Sequence, residues 1–79
     1  MAQKFCGEMV RLKRSYMSEV GGWVEDEPGG DTEYVIARRR LIRRGTMGLA
    51  VKTSEGSRLD VLIEGQLWPI TRDALAPVH

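Results

Sequence analysis

A chain of 79 residues has room for one domain and a small core, because a fold of this size buries only about 60% of the surface its unfolded form exposes. A deep, walled-off active site is therefore not expected, and 42% hydrophobic with 29% charged residues is too apolar for a disordered chain. The net charge of +1 conceals a local polarity: Glu25, Asp26, Glu27, Asp31 and Glu33 form an acidic block, and Arg38, Arg39, Arg40, Arg43 and Arg44 a basic one.

The longest apolar run, Tyr34 to Ala37, is four residues, far below the roughly 20 needed to cross a bilayer. No signal-type apolar core follows Lys4. Cys6 is the single cysteine, so no intramolecular disulfide forms, which fits a reducing compartment. The expectation is a cytoplasmic protein with no membrane contact.

Along the chain, "EMVRLKR" (8–14) alternates Val10 and Leu12 with Arg11 and Lys13, the pattern of a half-buried strand. "SYMSEVGG" (15–22) mixes helix-neutral and turn residues and closes on Gly21-Gly22, and is expected to be a loop or irregular excursion. In "WVEDEPGGDTEYV" the Pro28-Gly29-Gly30-Asp31 step predicts a hairpin with an acidic tip. A helix from about Thr32 to Arg44 competes with it, since Asp31 could cap it, Ala37, Leu41 and the arginines favour it, and Gly45 would end it. Both readings of 32–44 stay open at this point.

After Gly45, Leu49 and Val51 alternate with Ala50 and Lys52, "TSEGS" turns the chain, and Leu59, Val61 and Ile63 alternate with Asp60, Leu62 and Glu64. Two antiparallel strands are predicted, with the apolar members of each set inward. Gly65 permits a tight turn into "QLWPIT", where Pro69 cannot donate to a ladder and so marks an edge or a strand end. "RDAL" is expected as one helical turn and "APV" as a last short strand. One compact unit is expected to account for residues 1–79, with 16–44 an excursion within it.

Five short strands, a long excursion after the first and a helical turn before the last are the order of a small SH3-like barrel. The segments "GEMVRLKR", "RRGTMGLAVKT", "SRLDVLIEG" and "LWPITRDALAPV" resemble a pattern of several such families. These are the KOW-type domains of ribosomal and transcription proteins, the photosystem I accessory subunit, the variable chain of ferredoxin-thioredoxin reductase and the C-terminal domain of the nitrile hydratase beta subunit. The resemblance implies an all-β or mainly β fold, and the insertion at 16–44 carries the hairpin or short helix read from its residues. It implies no function, since it consists of turn glycines and core aliphatics.

The arginine cluster is the most prominent candidate site, because guanidinium groups pair with phosphate oxygens and carboxylates. In a strand, Arg38, Arg40 and Arg44 face one side and Arg39 and Arg43 the other; in a helix, Arg39, Arg40, Arg43 and Arg44 spread over the polar face. A solvated face neutralised by the acidic block is the bland alternative. Glu25, Asp26 and Glu27 lack calcium-loop spacing and are expected to solubilise a turn or to meet a basic partner. Trp23, Tyr16, Tyr34 and Trp68 could line a groove for a peptide or a base. Trp68 is expected as a core or rim packer, while Tyr16 and Trp23, in the excursion, are the better candidates for exposed contact, with packing under the loop the commoner fate of such residues.

The only histidine, His79, is the last residue, and no serine has another imidazole to activate it. No catalytic, cofactor or metal set is expected. The expectation is a non-catalytic binding module, a subunit, adaptor or inhibitor, docking on a protein or ribonucleoprotein assembly through residues 16–44. Nucleic-acid binding through the arginines is the alternative, and small phage-encoded regulators such as anti-CRISPR inhibitors are comparable in size and type only.

Overall fold

The structure is a computed structural model and describes residues 6–25 and 27–78. It is all-β. Seven strands run in the order β1 (Met9–Leu12), β2 (Tyr16–Glu25), β3 (Thr32–Ile42), β4 (Met47–Thr53), β5 (Arg58–Ile63), β6 (Gln66–Thr71) and β7 (Leu75–Pro77), with one 3-10 turn (Arg72–Ala74) before the last. They form two open antiparallel sheets, one five-stranded in the order β6-β5-β4-β1-β7 and one the two-stranded hairpin β2-β3.

The inward face of the larger sheet is apolar. Val10 and Leu12 of β1, Leu59, Val61 and Ile63 of β5, and Trp68 and Ile70 of β6 bury their side chains together, and Ile42 and Leu75 close the ends. Each such side chain contributes about 1.5–3 kcal/mol of transfer free energy. The β5–β6 turn is the tightest in the sheet: Glu64 and Gly65 both have positive φ, 50° and 80°, as a two-residue hairpin of matching twist requires.

The excursion differs from the sequence expectation in two ways. Residues 16–22 are strand and not loop; β2 runs from Tyr16 to Glu25 and pairs with β3 along its length, with one bulge between Val20 and Gly21. The helical alternative for 32–44 is replaced by strand, because a helix would forfeit that ladder and the inward seat of Ile42. The result is seven strands instead of about five, and a hairpin with an acidic tip, as Pro28-Gly29-Gly30-Asp31 predicts. At the tip, the Gly29 N–H donates to Glu25 Oε1 at 2.7 Å and the Gly30 N–H to the Glu27 carbonyl at 2.8 Å. Asp26 lies outside the described residues.

Strand β4 also reverses its expected phase. Gly48 and Ala50 point inward, while Met47, Leu49 and Val51 are exposed. Space is the reason: a Cβ on Gly48 would stand 2.7 Å from both the Leu62 carbonyl oxygen and Val61 Cγ1, so only the smallest residues fit there. The register then skips Val51, and this bulge lets β4 bend.

Candidate functional site

With its small residues turned inward, β4 puts its large ones on the outer face. Met9, Leu49, Leu62 and Leu67 stand directly opposite one another in consecutive ladders across β1, β4, β5 and β6. Each is between 36% and 47% exposed, and Met47 adjoins the row at 57%. A row of large apolar side chains on a solvent-facing sheet is a contiguous patch, unlike the scattered exposed aliphatics any surface carries.

At Leu67 the row enters a cleft of about 390 Å³ between the hairpin and the larger sheet. Trp23 and Tyr34 line its hairpin side, while Leu67 and Pro69 line it from β6. These aromatic rings are cross-strand partners packed edge to face, 5.4 Å between centroids at 69°. Trp23 is 73% exposed even so. Charges of both signs complete the lining, Arg38 and Arg58 against Glu55 and Asp60. Such a site offers apolar area with a polar rim.

The hairpin is fixed over the sheet by side chains. Ser18 is fully buried and its hydroxyl donates to the Pro69 carbonyl at 2.8 Å. Arg38 lies over the Trp68 ring with its guanidinium carbon 4.9 Å from the centroid, a cation–π contact. Arg40 pairs with Glu64 at 2.8 Å, across to the β5–β6 turn, and Arg39 pairs with Glu19 at 3.1 Å on the neighbouring strand.

The basic run therefore divides. Arg38, Arg39 and Arg40 each engage a partner within the protein, whereas Arg43 and Arg44 sit in the turn after β3. Tyr16 is half-buried against the core and Trp68 is buried within it, while Trp23 is exposed at the cleft. Glu25 and Glu27 lie at the hairpin tip, away from the apolar row. Sequence reasoning missed Met9, Leu49 and Leu67. Leu62 was visible to it as an apolar residue at an outward position, and that is the signal that leads to the row.

Among the described residues no group of three or more His, Cys, Asp or Glu could hold a metal ion, and no helix is long and apolar enough to cross a membrane. Compared with known proteins, the chain matches no family model, no curated protein and no solved structure.

Proposed function

We propose that the chain is a small SH3-like barrel acting as a non-catalytic binding module, a subunit, adaptor or inhibitor that docks on a protein or ribonucleoprotein assembly. The barrel reading is supported by the strand order β6-β5-β4-β1-β7 and by the 3-10 turn ahead of the last strand. The binding reading rests on one observation above all, the exposed Met9-Leu49-Leu62-Leu67 row that runs into the aromatic cleft. Leaving those side chains in water forgoes burial worth about 25 cal/mol per Å², which a partner's apolar surface would recover.

The test is capture of partners from the host cell by tagged protein, with and without nuclease, beside a Leu62→Glu/Leu67→Glu variant. A partner retained by the native chain after nuclease and lost by the variant, at unchanged circular dichroism, is the expected result. A partner held equally by both proteins would remove the apolar row from the interface.

A further inference from the structure

The two unpaired arginines of the basic run gain neighbours that are remote in sequence. The β1–β2 turn and the β3–β4 turn are locked together. The Leu12 N–H donates to the Thr46 carbonyl and the Gly45 N–H to the Leu12 carbonyl, each at 2.9 Å, and the Arg44 N–H donates to Ser15 Oγ at 3.2 Å. Tyr16 stands opposite Ile42 at the base of the hairpin. These bonds set Lys13 and Arg14 beside Arg43 and Arg44, four cations from two turns at one end of the hairpin.

All four are exposed, and none forms a salt bridge among the described residues, in contrast to Arg39 and Arg40. The Lys13 N–H donates to the Ala74 carbonyl, which brings the 3-10 turn alongside, and Asp73 there is the one carboxylate in the segments so joined. At the other end of the hairpin, about 30 Å away for a strand of this length, stand Glu25, Glu27, Asp31 and Glu33. The near-zero net charge thus conceals two opposed poles.

From this juxtaposition we infer that the hairpin root, Lys13, Arg14, Arg43 and Arg44, binds the phosphate backbone of a nucleic acid. The surface is an open pair of turns and not an enclosed pocket; the cleft described above lies elsewhere and shares none of these residues. Long, mobile cations on an open surface suit a polymer with regularly repeated charge better than a single small anion. The acidic pole repels the same polymer, so the strand crosses the root and does not follow the hairpin. This inference is independent of the apolar row.

Fluorescence anisotropy with a labelled 20-nucleotide RNA and a 20-base-pair DNA duplex, titrated from 50 to 200 mM salt, tests it. Four neutralised phosphates predict a loss of affinity over that range of about 50-fold for the single strand and about 150-fold for the duplex, which also separates the two sources of phosphate. In Lys13→Gln/Arg14→Gln and in Arg43→Gln/Arg44→Gln two contacts remain, and the single-strand loss should shrink to about sevenfold. Arg39→Gln/Arg40→Gln removes the same formal charge from already paired residues and should leave the salt dependence as it was. Absence of binding at 50 mM salt, salt dependence untouched by both root variants, or an equal effect of the control pair would each overturn the assignment. Circular dichroism of every variant confirms that the comparison is between folded proteins.

Discussion

The five-stranded sheet and the β2–β3 hairpin are built on opposite principles. Inward residues of β1, β5 and β6 are large, apolar and buried, whereas among the described residues of the hairpin only Ser18 and Ile42 are buried, both near its base. Beyond the bulge between Val20 and Gly21, no described side chain is enclosed, and Trp23, Val24, Tyr34, Val35 and Ile36 are all exposed. The molecule measures 50 × 30 × 21 Å, elongated for a chain of this length. Stability resides in the sheet, while the hairpin is held by backbone pairing and a few directed side-chain contacts, so it can carry contact residues without taxing the core.

That division can be broken most forcefully from the core side. Leu59→Ala removes a fully buried side chain and should cost about 2–5 kcal/mol, read from urea unfolding, with sheet and hairpin lost together. Gly21 probes the boundary between the two regions. A Cβ there would overlap the Val35 carbonyl, while one on the adjacent Gly22 would meet nothing within 4 Å. Gly21→Ala should cost about 1–3 kcal/mol and raise amide exchange in the hairpin before the sheet, with Gly22→Ala as the mild control. Exchange that rises equally throughout would mean that hairpin and sheet open as one unit. The smallest effect is expected at Arg39→Gln, which removes an exposed ion pair with Glu19 and should change stability by less than about 1 kcal/mol.

The sheet was largely legible in the sequence because its signals are local. Val10 and Leu12 alternate cleanly, Gly65 announces a tight turn, Pro69 marks an edge, and the 3-10 turn and last strand fall within one residue of where "RDAL" and "APV" place them, Leu75 already belonging to the strand. The hairpin was less legible since its determinants are not local. Ser18 takes an inward position that alternation assigns to an apolar residue, and only the distant Pro69 carbonyl explains it. Residues 32–44 satisfy helical and extended patterns alike, and the ladder with β2 decides between them. The apolar row was hidden by a phase error, because "GLAVKT" reads equally well with Leu49 inward until Val61 and the Leu62 carbonyl are seen to crowd Gly48. The arginines were legible as a cluster, but their division into engaged and free members depends on Glu19, Glu64 and Trp68, which no spacing rule connects to them.

The bond between Ser18 and Pro69 also bears on how the protein keeps to itself. Strand β6 is an outer strand of the larger sheet, and an outer strand ordinarily offers a free row of donors and acceptors to any passing extended chain. Near the middle of β6 the proline has no N–H to give, and its carbonyl is already engaged by the Ser18 hydroxyl. An incoming strand would find no hydrogen bond at that residue and would have to displace β2 to gain one. The residue that anchors the hairpin thereby also guards this margin of the sheet against polymerisation.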